Sequence, residues 1–498
     1  MRVLGSLKAR HPDSSANPTH PLTSLKFTAE QRAQLSKPRP FLLLIILGIF
    51  SLPWLFLFVN GVRARQQQRQ MDSAAEQFFS QLPIHSRNAS TIQFEQLAAD
   101  LGFSPNDSSG PPIYINQQAG QVHQMFDPLI KEFLRTQATK TSGPLDAPPA
   151  ELSAYLKAYA VPIAAVQTHL LEQPVPQWDM TIERMFDPTY PFPGFFNVRS
   201  LQELLLLSAL EHNAQRQQAN MVAALEASWR LNQALLKRPD LTAQVSVSAV
   251  SEQQAGLFRH LNNLPEQWVA RLGEQAQHQS VISAHQFETW LLYKIQQQSL
   301  ASATYQAKAK ASLSDQLAST MFYWFSPAYF SQRSNIDTIQ TTHRALERLP
   351  NLDVCSTAQT DVAQLLAQEK TAKWNQATAL SPVILAKRWK VSGDRALNLE
   401  LTQNVLQAKL IRKATGGWPN TLPNLSSAVC PDTHWTYEHD SKTDTITLSL
   451  SAQVAPTIYS DGLHPGPPIP FYYQSDREYS AQKRPHSAKP TADRTPKK

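Results

Sequence analysis

The most contrasted stretch of the chain is Phe41–Val59, nineteen residues without a charge between two polar, basic segments. At about 1.5 Å per residue a helix of that length covers roughly 28 Å, the thickness of a bilayer's hydrocarbon core. A helix buried in a soluble protein is rarely apolar on every face. The run therefore predicts a transmembrane helix over residues 41–60, preceded by a cytoplasmic polar tail over 1–40 that reads as disordered. A cleavable signal peptide fits less well. The segment in front is too long for an n-region, the apolar run exceeds a usual h-region, and no small-x-small cleavage site follows. The expectation is an uncleaved signal-anchor and a single-pass protein.

Beyond the anchor the pattern changes to repeated amphipathic helix and break. From Gln66 the chain reads as a helical stalk whose first apolar group is Phe78, Phe79 and Leu82. Loops are expected at Ser104–Pro112 and Thr141–Pro149, where prolines and glycines cluster. Ser200-x-x-Glu203 and Ser283-x-x-Gln286 read as capping boxes opening two helices. Met221, Leu225, Trp229 and Leu236 keep helical spacing, and Lys237-Arg238-Pro239 is a stop signal. Successive helices with short joins predict antiparallel hairpins, as a bundle or an irregular α-solenoid, over residues 61–394. No fixed repeat period is convincing, which leaves a repeat array as the lesser alternative.

The last unit, residues 395–455, differs. A helix near Arg395–Ala414 carries Leu397, Leu401 and Val405 on one face and ends at Gly416-Gly417. Trp435–Tyr437 and Ile446–Leu450 then alternate apolar and polar around the turn-like Asp440–Asp444, which predicts a β-hairpin with one buried face. The proline-rich, basic tail 456–498 is expected to be disordered. The fold class is thus mainly α, with a transmembrane helix, helical hairpins and a small helix-plus-hairpin unit. Scarce glycine (15) and plentiful proline (36) agree with helices separated by breaks.

The net charge of +7 raises the question of nucleic acid. Its location answers it. Residues 1–40 carry +5, Arg63, Arg65 and Arg69 add +3, and the tail 456–498 another +3, leaving −4 for residues 70–455. A nucleic-acid-binding domain needs a basic face within the fold, so no nucleic-acid partner is expected.

Orientation rests on two features. Positive charge close to the two ends of the span is nearly balanced, so the positive-inside rule does not decide it. No second hydrophobic span follows, and the only two cysteines, Cys355 and Cys430, both lie in the large domain. As a disulfide they would close a loop of about 76 residues and contribute roughly 4–5 kcal/mol in the chain-entropy model, which requires an oxidising compartment. The alternative is two unrelated buried thiols. The expected localisation is the cell inner membrane, N-terminus cytoplasmic and large domain extracytoplasmic.

A helix, then Gly417-Trp418-Pro419-x-x-Leu422-x-x-Leu425, the Cys430-Pro431 step and a hairpin resemble the C-terminal part of type II secretion pseudopilins, over residues 395–452 only. In that family the membrane helix directly precedes this unit, behind a prepilin processing site, with a glutamate early in the helix. Here the anchor lies more than 300 residues upstream and contains no glutamate, so the chain is not a pilin subunit. The wider arrangement is similar to uncharacterised bacterial single-pass, membrane-anchored helical proteins, a likeness that implies no activity.

Chemical motifs are sparse. There is no H-E-x-x-H, C-x-x-C, G-x-S-x-G or phosphate loop. His285-x-x-Glu288 is a single pair on a predicted helix, where a di-iron bundle needs two such pairs and two further glutamates. A solvated helix face explains it more simply. His434 with Glu438-His439-Asp440 fits a polar turn as well as a cation site. Met321–Phe330, the richest aromatic run, reads as a buried helix end or, functionally, as a partner groove or membrane contact. No catalytic, metal or cofactor-binding residue is assigned and no cofactor is expected. The leading expectation is a non-enzymatic scaffold with a protein partner in the cell envelope, as an accessory to a secretion or pilus-like assembly in its narrower form. The rival is a membrane-tethered hydrolase acting on cell-wall or lipid material.

Overall fold

A computed structural model describes residues 40–83, 86–105, 113–187, 190, 193–262, 264–275, 279–309, 327–352, 355, 364, 382–430, 432–451 and 472–475. The chain divides into two compact units, residues 1–66 and 67–498. In the first, every described residue belongs to helix α1, Pro40–Ser80, which continues into the second. The expected membrane span is therefore helical in its backbone, but most side chains of residues 41–58 lie outside the described residues. Among the described residues no helix is long and apolar enough to cross a membrane.

The body of the second unit is helical: α2 (Ala89–Asp100), α3 (Gln117–Ala138), α4 (Ala150–Ala158), α5 (Ala160–Glu172), the single turn α6 (Ile182–Met185), α7 (Phe195–Ala214), α8 (Gln218–Leu236), α9 (Leu241–His260), α10 (Gln267–Gln275), α11 (Gln279–Ala309), α12 (Pro327–Arg348) and α13 (Pro382–Thr415). Among the described residues, side-chain caps start three of them. Asn88, Asn116 and Asp240 accept from the amides of Thr91, Ala119 and Ala243, satisfying donors that the first turn leaves open. α8 stops at Leu236, directly before Lys237-Arg238-Pro239.

The two capping boxes are not where these helices begin. α7 starts at Phe195 and α11 at Gln279, so Ser200 and Ser283 lie inside their helices. Glu203 turns instead to Arg199, one helical turn back, at 3.0 Å, and accepts from Gln253 of α9 at 3.1 Å. An interhelical partner has replaced the local one.

The main core gathers α2–α5 and α7–α10, including the continuous leucines 204–207 of α7, all fully buried. Residues 201–210 of α7 are all buried, which explains why its apolar residues show no stripe. α9 is central, packing on α3, α7, α8 and α13. Its Gly256 lies against the last turn of α3, where an added Cβ would collide with the backbone of Ala138. A second core joins Met71, Ala75 and Phe79 of α1 to Phe287 and Trp290 of α11 and to Ile336 and Ile339 of α12. Tyr293 donates to Asp72 at 2.9 Å on the same face.

α13 ties the helical body to a three-stranded antiparallel sheet, β1 (Trp435–Asp440), β2 (Thr445–Leu450) and β3 (Tyr472–Gln474), in the order β1-β2-β3. At about 100° per residue, Leu397, Leu401, Val405 and Ala408 fall within roughly 80° of one another, and Leu399 and Leu406 about 150° away. The first group packs on the sheet and the second enters the helical core. The expected boundary between residues 394 and 395 thus falls inside a helix that serves both sides. The tail expected to be disordered contributes β3, paired Ser449↔Tyr472 to Thr447↔Gln474. Gly416, at φ +84°, ends α13, and its amide reaches back to Arg412 at 2.8 Å.

Candidate functional site

The residues singled out in the sequence fall at three places. His285 and Glu288 sit on α11 where it meets the start of α9 and α13. His285 is buried, its Nε2 lies 3.3 Å from the Arg388 guanidinium, and burial followed by that cation pushes its imidazole down to about 3. Glu288 accepts from the Leu241 amide at 3.2 Å. Burial holds its carboxyl above the usual range and the nearby Asp240 adds to this, while the Leu241 amide and Arg388 pull the other way. Asp240 caps α9 through one oxygen and binds Arg238 at 2.8 Å through the other. Arg238 donates to the carbonyl of Asp179 at 3.0 Å and lies over the Phe195 ring. The pair is therefore part of an interlock of helix ends. It is not the solvated face the sequence favours.

The hairpin acids diverge. Asp440 closes its own turn, accepting from the Lys442 amide at 2.8 Å and the Thr443 hydroxyl at 2.7 Å, and these bonds hold its carboxyl below the usual range. His439 faces Asp444 at 3.9 Å, and His434 lies beside Ser451. Among the described residues no group of three His, Cys, Asp or Glu side chains is placed to hold a metal ion. In the aromatic run, Met321–Ser326 and the side chains of Pro327–Phe330 lie outside the described residues.

Cys355 and Cys430 form a disulfide with their Cα atoms 5.7 Å apart. The turn bearing Cys430 is built around Glu400 of α13. One carboxylate oxygen accepts from the amides of Ala428 and Val429 at 2.8 and 3.0 Å. The other accepts from the Ser427 hydroxyl at 2.7 Å and the Trp435 indole at 3.1 Å.

Two polar clusters carried no sequence signal. At the end of α9, Arg259 is completely buried, donating to the Asn398 side chain, to Thr402 at 3.0 Å and to the Ala138 carbonyl at 3.2 Å. Its neighbour His260 sets both ring nitrogens 2.9 Å from carbonyls, those of Gly143 and Lys140. Burial lowers it to about 4, with Arg259 and Lys409 adding to the effect and the two carbonyls opposing it. Between α7, α8 and α9, Gln202, Ser228, Asn232, Ser251 and Gln254 form a buried hydrogen-bonded chain. In both, the polar atoms face other parts of the chain.

A serine–histidine contact, Ser90 Oγ to His169 Nε2 at 3.0 Å, is likewise turned inward. The hydroxyl also contacts the Pro174 carbonyl, and His169 Nε2 lies 3.0 Å from the Ser90 carbonyl. Both residues are buried, and among the described residues His169 Nδ1 has no hydrogen-bond partner, so the exposure and the third, orienting group of an activated nucleophile are not found there. What these arrangements do chemically is fasten helix ends and loops. No family model, curated protein or solved structure matches the chain.

Proposed function

We propose that the chain is a membrane-anchored, extracytoplasmic scaffold whose helical body binds another protein of the cell envelope. The observation that carries the reading is the uncharged run Phe41–Val59, set in a helix that continues without a break to Ser80. A charge-free stretch of that length matches a bilayer core. Two further features support it. The disulfide fits an oxidising compartment, and the titratable clusters described above are engaged in internal bonds. A narrower role, as an accessory to a secretion or pilus-like assembly, rests on the resemblance of residues 395–452 to pseudopilins.

The test is crosslinking of the tagged protein in living cells, followed by mass spectrometry of the captured partners. Reproducible capture of envelope proteins by residues 67–475 supports the reading. Capture of cytoplasmic proteins alone by that region would overturn it. Membrane fractionation of the same cells checks the anchor, because recovery in the soluble fraction contradicts a spanning helix.

A further inference from the structure

The two sulfurs of the bridge are not equivalent. Cys430 is 1% exposed. Its turn is fixed by three bonds to Glu400, from Ser427, Ala428 and Val429, and by the Ser427 hydroxyl, which accepts from the amides of Val429 and Cys430 at 3.2 and 3.0 Å. None of these bonds involves a sulfur. Cys355 follows the single 3-10 turn Leu349–Asn351 at the end of α12 and is only half-buried. It lies on the seam between the sheet core and the small core of Leu346, Leu349, Leu385 and Trp389, packing against both.

Thiol–disulfide exchange requires a thiolate to approach one sulfur from outside and expel the other. Of the two half-cystines Cys355 is the less buried. We propose that the bridge is made and broken from the Cys355 side. Cys355 is the sulfur that forms a mixed disulfide with a dithiol–disulfide exchange partner, and Cys430 is the buried resolving sulfur. The proposal rests on the extracytoplasmic reading, since a stable bridge belongs to an oxidising compartment.

In the opening direction the partner's thiolate attacks Cys355 Sγ, and the Cys355–Cys430 bond breaks. Its electron pair leaves on Cys430 Sγ, which then takes a proton from solvent. The partner's second thiol attacks its own sulfur in the mixed disulfide and releases Cys355. The partner ends as a disulfide and this chain as two thiols. In the forming direction the partner begins oxidised, Cys355 attacks first, and Cys430 displaces the partner. Because Glu400 holds the Cys430 turn without help from the sulfurs, the resolving thiol is already in place when Cys355 is captured.

The experiment uses the full-length protein in detergent. The oxidised wild type is treated with reduced glutathione, quenched with acid, and the mixed disulfide mapped by peptide mass spectrometry. Glutathione on Cys355 is expected; glutathione mainly on Cys430 would overturn the assignment. In parallel, Cys430→Ser and Cys355→Ser each leave one thiol, and an aromatic disulfide probe measures its native reaction rate. The lone Cys355 is expected to react at least about tenfold faster than the lone Cys430, with the two rates converging in denaturant, because reaction of a buried thiol waits on local opening. Equal native rates would refute the asymmetry. Both variants lack the bridge, so its loss cannot produce the difference, and the glutathione map needs no variant. Recovery of the chain from cells fully reduced would count against the extracytoplasmic reading, leaving the order of attack to be decided by the purified protein.

Discussion

Glu400→Ala isolates one carboxylate on which the junction between α13 and the sheet depends. Glu400 receives four hydrogen bonds, from Ala428 N, Val429 N, Ser427 Oγ and Trp435 Nε1. Bonds to a charged acceptor contribute about 1.5–3 kcal/mol each, which sets a ceiling of roughly 6–12 kcal/mol. The realised cost is smaller. Ala428 N is exposed, so water takes over its bond, and the Ser427 hydroxyl rotates to another partner. Trp435 is 1% exposed and Val429 N is partly buried. Stranding the Trp435 donor, at about 1–3 kcal/mol, and leaving Val429 N only its longer bond to the Ser427 hydroxyl gives a local destabilisation of about 3 kcal/mol. Amide hydrogen exchange over residues 427–435 reads this directly. A loss of about 3 kcal/mol corresponds to roughly 150-fold faster exchange where opening and closing are fast compared with exchange from the open state. Glu400→Gln keeps a carbonyl for the two amides but turns an N–H toward the Trp435 indole N–H, so about half the effect is expected. An acceleration below about threefold in Glu400→Ala would refute the reasoning, because the turn would then be held by something other than this carboxylate.

Acid should loosen the fold at two buried histidines. His260 and His285 titrate near 4 and 3 in the folded chain against about 6.5 when unfolded. The unfolded chain therefore takes up protons first as pH falls. The stability these groups contribute is complete above about pH 6.5 and is lost progressively toward pH 4 and below. Urea unfolding monitored at pH 7 and pH 5 should show the decline, and His285→Leu should lower the proton uptake on unfolding at pH 5 by about one; an unchanged pH slope would contradict it. Gly256→Ala should destabilise the helical body by about 3 kcal/mol or more, since the methyl meets the backbone of Ala138 and α9 must move from α3. Thermal unfolding measures this, and a neutral or stabilising result, as expected for alanine in an unobstructed helix, would count against so close an approach.

What could be read in the sequence was whatever is encoded locally. The stop after Leu236 and the hairpin around Asp440–Asp444 depend on residues within a few positions of one another, and both are in place. Ser200-x-x-Glu203 shows the limit of that logic. The same two residues fit a cap, yet Arg199 and Gln253 outcompete the local partner, and only the packing of α7 against α9 brings Gln253 there. β3 is hidden for a related reason. Three residues in a proline-rich, basic tail do not signal a strand until β2 offers its open edge. The clusters at Arg259 and Gln202 join residues far apart in sequence, up to 143 positions for Arg259 and Thr402. No spacing rule reaches them.

α13 shows how these long-range contacts become an architecture. A helix with one apolar stripe would end one domain or begin another; this one has two. Leu399 and Leu406 belong to the helical core, while Leu397, Leu401, Val405 and Ala408 belong to the sheet. Separating the two parts would expose one stripe or the other, at about 1.5–3 kcal/mol for each large apolar side chain uncovered. The polar bonds repeat the arrangement. Glu400 reaches the sheet side, whereas Asn398 and Thr402 receive Arg259 from the helical side. Lys409 reaches the end of α9, donating to the carbonyls of Arg259 and Leu261. β3 closes the circuit, with the Gln474 amide donating to the Thr141 carbonyl at 2.8 Å and the Tyr473 ring tilted against that of His260, centroids 5.5 Å apart. The sheet is thus held to the helical body both through α13 and directly through β3. A disturbance at the Cys430 turn passes to α13 through Glu400, and from there to the end of α9 through Asn398 and Thr402. That is why hydrogen exchange at residues 427–435 should be sensitive to Glu400 and why the bridge, opened at Cys355, should leave this junction standing.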